Sequence, residues 1–436
     1  MDRVRAQLYA IANIKKKRKL GDSSYMNTLA AIDYAKEEQR VEPRLYPQLI
    51  KYMGSKAKII NFVSESIQSI YNGGVVCDLF GGAASLSGAL GSTYPVLTND
   101  IQHYSSLIAS VYLKPIKSID SELLIQDASD YYKKARSKIA ADIEYEGFDS
   151  LKEFNEIEER NRDLINQSFR HHYHLFVKNY SGTWWSAEQC LWIDAIKQAI
   201  DKRVKNKEFG QAEYALAMST LLHAMAYSSQ GTGHYAQYRD AKTVSSMLDI
   251  NIYRQKRLQD LFINKLDQMI VWSKENVIDL NHSITTLDYT DCLKKLNGGT
   301  VYADPPYAFV HYSRFYHAME TLCLYDYPDL QVKGGSIVKG RYREERHQSP
   351  FCIRSQVNGA FVNLFSGVKK AGANLALSYS NTAMISLETL LDISKITLKS
   401  NYEIWVEDLD HKHMTMGRQN DRSRDVKELM LLARKK

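Results

Sequence analysis

Much of what would assign a function quickly is scarce or missing in this chain. Its 436 residues hold five cysteines, Cys77, Cys190, Cys292, Cys323 and Cys352. They are odd in number and never form a C-x-x-C pair, so neither a disulfide framework nor a zinc cluster is expected, and a reducing cytoplasm suits them best. No apolar run approaches the roughly 20 residues that span a bilayer. The most apolar helical stretch, Tyr214 to Tyr227, is interrupted by His223. The charged opening lacks the apolar h-region of a signal peptide, so no leader is expected there and no membrane partner. There is no repeat of 20 to 50 residues, no long low-complexity tract and no complete G-x-G-x-x-G pattern. Acidic residues fall short of basic ones, 50 against 57, and the formal charge of +7 leans weakly toward a polyanionic partner. With 44% hydrophobic and 25% charged residues, the composition is otherwise that of an ordinary soluble protein of two or three domains.

Of only eight prolines, two stand side by side in Asp304-Pro305-Pro306-Tyr307. The preceding run, Thr300-Val301-Tyr302-Ala303, reads as a short buried strand that the prolines break. Asp304 therefore emerges at the carboxyl end of a strand, where open α/β sheets place their ligand crevices. Adjacent prolines carry no backbone N–H, so this turn offers acceptors and almost no donors. A group that donates, such as an exocyclic amine, suits it, and Tyr307 adds a flat face for a planar ring. A plain proline turn at a strand end is the competing reading.

A second strand signal, Val75-Val76-Cys77-Asp78, runs into Leu79-Phe80-Gly81-Gly82 and a small-residue helix start. This is the first βα unit of a Rossmann-like sheet, but Asp78 beside the turn would repel a pyrophosphate. A cofactor with an ammonium or sulfonium fits better. The strand Pro95 to Thr98 ends in Asn99-Asp100, where an acid can hold both hydroxyls of a ribose. Adenosine with a cationic tail and no phosphate describes S-adenosylmethionine. Lys51 to Lys56, K-Y-M-G-S-K, is a glycine turn entering a helix, and that helix N-terminus could receive a carboxylate. Asp288 and Tyr289, at the end of a strand signal from Ile284, either flank an adenine or merely cap the next turn.

Residues 46–110 and 282–436 carry these sheet signals and form the expected catalytic domain, after a polar, basic arm over 1–45 with the run Lys15 to Lys19. Between them, 111–281 reads as helical: Trp192, Ile196, Ala199 and Ile200 share one face, with Asp194, Lys197 and Asp201 off it. So long an insertion should be a subdomain. Lys178, Tyr180 and Trp184 within it, with Arg341, Arg343 and Arg346 in a basic segment further on, are candidates for touching DNA; solvated charge is the alternative. Gln230 to Tyr235 reads as an exposed loop. His171, His172 and His174 lack thiolate or acidic neighbours, so no metal site is expected.

Taken in order, K-Y-M-G-S-K, D-L-F-G-G (Asp78 to Gly82), N-D (Asn99, Asp100), an insertion, L-D-Y (Leu287 to Tyr289) and D-P-P-Y resemble the Dam-like, alpha-class DNA adenine N(6)-methyltransferases over about half the chain. That resemblance implies an α/β fold: a Rossmann-like methyltransferase sheet with a large, mainly helical DNA-recognition domain inserted at 111–281. It implies that Tyr52, Lys56, Asp78, Phe80, Gly81, Gly82, Asp100, Ile101, Asp288 and Tyr289 line S-adenosyl-L-methionine. Asp304, Pro305, Pro306 and Tyr307 would hold an adenine flipped out of double-stranded DNA. Arg418 would lie in the loop of a closing hairpin that ends in Lys427 to Leu432. A nucleoid-associated setting in a prokaryote or phage, beside a restriction endonuclease or a defence-system subunit, is expected. The N-terminal arm, the size of the insertion and the basic segment near Arg341 exceed a minimal enzyme of this class, so its target sequence does not transfer. Cytosine N(4) methylation, RNA or protein amide methylation, and a non-catalytic DNA-binding subunit all stay open at this point; cytosine enzymes more often carry Ser at the position of Asp304.

Overall fold

Short apolar runs build the centre of the sheet, and the order in which they are laid down places the cleft. The computed structural model describes residues 42–231, 233–306, 311–380, 383–413 and 424–436. One compact unit runs from Arg44 to Lys436. Its strands are β1 (Val76–Asp78), β2 (Val96–Asn99), β3 (Ser283–Thr285), β4 (Thr300–Ala303), β5 (Val332–Lys333), β6 (Ser336–Ile337), β7 (Asn374–Ser380), β8 (Tyr402–His413) and β9 (Arg424–Lys435). Seven of them form one sheet in the order β3-β2-β1-β4-β7-β9-β8. The first five run parallel; β9 returns antiparallel to β7, and β8 antiparallel to β9. β5 and β6 make a separate two-residue hairpin.

Starting at β1, the chain first moves outward to β2 and β3, then crosses to β4 and β7 on the other side. That reversal between β1 and β4 is the topological switch point, where a crevice opens beyond the carboxyl ends of the strands. The register puts Asp78 level with Thr98 on one side and Tyr302 on the other, so the turns after β1, β2 and β4 converge there. Every residue of β1, β4 and β7 is buried, as expected of central strands covered on both faces. The helix Val357–Ala371 buries Val357, Ala360, Phe361, Leu364, Phe365 and Val368 at helical spacing. Each of the valine, leucine and phenylalanine side chains contributes about 1.5–3 kcal/mol of burial.

Between β2 and β3 lie the helices Ser121–Arg136, Leu151–Asp163, Leu175–Tyr180, Ala187–Lys205, Gln211–Ser228, Val244–Arg254 and Leu258–Asn276. Their core is continuous with the helix His103–Leu113 that comes directly after β2: Tyr104, Ile108 and Ala109 pack in one cluster with Leu191, Leu216 and Phe262. Two buried acids tie it together. Glu158 accepts from Arg254 at 2.7 and 3.0 Å and from the Tyr145 hydroxyl at 2.7 Å. Asp194 is buried rather than solvent-facing, because it accepts from the Phe176 and Val177 amides and from the Tyr325 hydroxyl at 2.6 Å. Lys197, also expected off the core face, is buried beside Asp201. Among the described residues no helix is long and apolar enough to cross a membrane.

Candidate active site

The D-L-F-G-G turn owes its shape to two close approaches. A Cβ on Gly81 would stand 2.7 Å from Thr98 Cγ2 and 3.0 Å from Ser105 Oγ, so only glycine lets its amide reach the Asn99 carbonyl at 2.8 Å. Gly82 has φ +51°, and a Cβ there would meet the Tyr52 ring at 3.0 Å. Its amide donates to Asp100 Oδ2 at 2.8 Å while Gln102 donates to Oδ1 at 2.9 Å. Both carboxylate oxygens are thereby aimed, and the Ile101 amide also faces the group; a carboxylate has about four acceptor sites, so capacity for another donor is left. Asn99, noticed in the sequence only as half of N-D, is the clamp between neighbouring turns. Its side-chain amide reaches the Leu79 and Leu287 carbonyls at 3.2 and 3.0 Å, and its oxygen accepts from Thr285 at 2.7 Å.

These turns wall a cleft that is open to solvent. It is lined by Tyr52, Lys56, Asp78, Phe80, Gly81, Gly82, Asp100, Ile101, Asp288, Tyr289, Asp304, Pro305 and Pro306, so the residues read from five separate motifs share one cavity. Phe80 packs against Tyr289 at 5.8 Å and edge-on to Phe351 at 5.6 Å, giving an apolar wall. Tyr52 stacks on Tyr316 at 4.7 Å and Tyr312 at 5.5 Å. Asp288 does cap the helix Tyr289–Lys295, accepting from Thr290 N at 2.9 Å, while still lying on the cleft wall. Cys352 donates its thiol to the Pro306 carbonyl at 3.6 Å and steadies the proline turn.

The electrostatics of this cleft are those of crowded acids. Burial pushes the Asp78 carboxyl well above its ordinary value, helped by Asp100 and Asp304. Burial lifts Asp100 to about 6, against the pull of the Gln102, Gly82 and Ile101 amides. Asp304 is likewise raised to about 6 by burial; Lys56 works against that shift and Glu428 adds to it. The Lys56 ammonium stands 3.3 Å from Asp304 Oδ1 and 3.3 Å from Glu428 Oε2. Lys56 is therefore held at the proline turn, a more specific place than its reading as a cofactor contact. Glu428 was missed; its signal in the sequence is one acid directly before the apolar run Leu429 to Ala433. A cation carrying hydroxyls relieves such a site and a phosphate worsens it, so the donor set fits S-adenosylmethionine.

Outside the cleft the sequence reading needs correction. Tyr180 and Trp184 are both 0% exposed; they pack with Trp185, Tyr235 and His317 in an aromatic cluster, so neither side chain is placed to meet DNA at the surface. Gln230 and Tyr235 are buried as well. Arg343 is locked onto Asp326 at 2.7 and 2.6 Å, and Arg341 donates to the Asn179 carbonyl. Arg346 reaches the Arg343 carbonyl at 2.7 Å. Lys178 is exposed. Tyr307, Arg418 and the run Lys15 to Lys19 lie outside the described residues. Among the described residues no group of three His, Cys, Asp or Glu side chains is placed to hold a metal ion.

A mostly parallel sheet with its switch point at β1 and β4, edged by an antiparallel hairpin, is compatible with a methyltransferase fold. Residues 52–183 match the family model of D12 class N6 adenine-specific DNA methyltransferases, which bears out at the level of family the resemblance carried by the motifs. The chain is 24% identical over 349 residues to modification methylase LlaI of Lactococcus lactis subsp. lactis, covering 79% of this chain and 48% of that protein. It is 23% identical over 352 residues to type II methyltransferase M.FokI of Planomicrobium okeanokoites, covering 79% and 47%. To type II methyltransferase M.NlaIII of Neisseria lactamica it is 22% identical over 354 residues, covering 79% and 87%. The chain thus spans about half the length of the first two relatives and most of the third.

Proposed function

We propose that the chain transfers a methyl group from S-adenosyl-L-methionine to the exocyclic amine of adenine in double-stranded DNA. The observation that carries this reading is the meeting of Asp304, at a donor-poor proline turn, with Asp78 and Asp100 in one acidic cleft at the switch point. Asp100 would hold the ribose hydroxyls with its remaining lone pairs, and Phe80 with Tyr289 would face the adenine ring of the donor. Asp78 would answer the cationic tail. When bound, the donor supplies an electrophilic methyl group on a charged sulfur. Everything else is positioning. Asp304 and the Pro305 carbonyl each accept one hydrogen of the target amine, which frees the nitrogen lone pair from the ring and turns it toward the donor. A carboxyl near neutrality can then take up the proton that the alkylated nitrogen gives up.

The target base must leave the duplex to bring its amine to Asp304, at a few kcal/mol that stacking and the Asp304 hydrogen bonds repay. Residues 111–281 would supply the recognition surface, with Lys178 on its exposed side and the segment around Arg346 beside it. A role in restriction-modification, in a bacterial or phage cytoplasm, accords with the same reading. Incubation with labelled S-adenosylmethionine and mixed-sequence DNA, followed by digestion to nucleosides, tests it. Label is expected in N(6)-methyladenine; label in cytosine alone, or none, would overturn the assignment.

A further inference from the structure

Glu428 is a buried acid on a strand that has little reason to hold one. Leu429 to Ala433, the residues after it on β9, are all buried and apolar, and Glu428 itself is 1% exposed. Pairing of β9 with β7 sets it opposite Ser380, at the carboxyl end of the strand next to β4. From there its carboxylate meets the Lys56 ammonium at 3.4 and 3.3 Å. The same ammonium stands 3.3 Å from Asp304 Oδ1, so one cation is shared by two carboxylates. A buried ion pair adds little to stability beyond what apolar packing of the same volume provides. Such a residue therefore calls for an explanation beyond packing.

We propose that Glu428 is a positioning residue for the reaction at Asp304: it anchors Lys56 from the far side and sets how much of that positive charge Asp304 receives. The inference rests on Asp304 being the acceptor of the target amine. Other polar groups facing Asp304 among the described residues are Asp78 at the end of β1, the Tyr302 hydroxyl on β4 and Ser378 on β7. The Tyr302 hydroxyl is buried and has no hydrogen-bond partner among the described residues. Asp304 is paired with Lys56, and Lys56 with Glu428. Without the anchor, more of the Lys56 charge goes to Asp304, the repulsion from Glu428 vanishes, and Asp304 becomes the stronger acid. Without Lys56, the Glu428 and Asp304 carboxylates are left with no ammonium between them and Asp304 becomes the weaker acid.

The test is the acidic limb of methyl transfer against pH in Glu428→Gln, Lys56→Met and the double variant. Glu428→Gln should move the limb down by about half a unit and Lys56→Met up by about a unit or more, the range expected for one close charge. The double variant should fall between them. A purely structural role lowers the rate and leaves the limb in place, and that result overturns the proposal. Should Lys56→Met fail to fold, the isosteric Glu428→Gln decides alone. Titration of the Asp304 carboxyl resonance by carbon NMR, assigned by its loss in Asp304→Asn, reads the same shifts without turnover. An inactive wild type would then sink the proposed function, while unshifted resonances would sink the role of Glu428.

Discussion

Replacing Asp100 by asparagine keeps the side chain's shape and removes one acceptor and one charge. In the wild type, Gly82 N–H donates to one oxygen at 2.8 Å and Gln102 N–H to the other at 2.9 Å. An asparagine can satisfy only one of them, because its amino group turns a donor toward the second amide. Hydrogen bonds to a charged group contribute about 1.5–3 kcal/mol each. Losing one from the turn that shapes the proposed ribose site should therefore weaken S-adenosylmethionine by roughly tenfold to a hundredfold, at 1.4 kcal/mol per decade. The effect carries a pH signature. With its carboxyl raised to about 6, wild-type Asp100 is ionised at pH 7.5 and largely protonated at pH 5, so wild-type affinity for the cationic donor falls as the medium is acidified. Asp100→Asn has no proton to gain there, and the gap between the two proteins should narrow. Calorimetric titration at both pH values measures it. Affinities within twofold at pH 7.5, or a gap that widens in acid, would refute the ribose and charge roles together.

Asp304→Ala is expected to abolish methyl transfer while donor affinity, measured by equilibrium dialysis, stays within several-fold; an active variant ends its role as amine acceptor. Trp184→Ala should lower unfolding free energy by about 3–5 kcal/mol, the range for deleting a buried aromatic, whereas Lys178→Ala should leave the denaturant midpoint alone and weaken DNA in a binding titration. Equal midpoints for the two variants would contradict the burial that separates them. Asp194→Asn should cost about 1–3 kcal/mol, because one of the donors from Phe176, Val177 or Tyr325 loses its acceptor; unchanged thermal unfolding would show that these bonds contribute nothing net.

The local chemistry of the cleft was legible in the amino-acid order. A strand, a double-glycine turn and an adjacent acid constrain one another within a few residues: Gly81 and Gly82 answer to clashes with Thr98, Ser105 and Tyr52, and the paired prolines end β4 where they must. Such signals are short-range, so motif reading found Asp78, Asp100 and Asp304 and expected them at strand ends. Periodicity found the helices after β2 but misjudged what they bury. Aromatic and basic side chains in Lys178 to Trp185 look alike on paper whether they face water or a core. Only packing separates exposed Lys178 from enclosed Tyr180 and Trp184, and only packing shows Asp194 receiving its donors from a neighbouring helix. Glu428 is the sharpest case. It lies 372 residues from Lys56 along the chain, and no spacing rule connects them; β9 had to insert beside β7 before that acid could reach the ammonium. Ionic contacts between distant strands depend on sheet order, which is settled by how the whole set of apolar faces is buried at once.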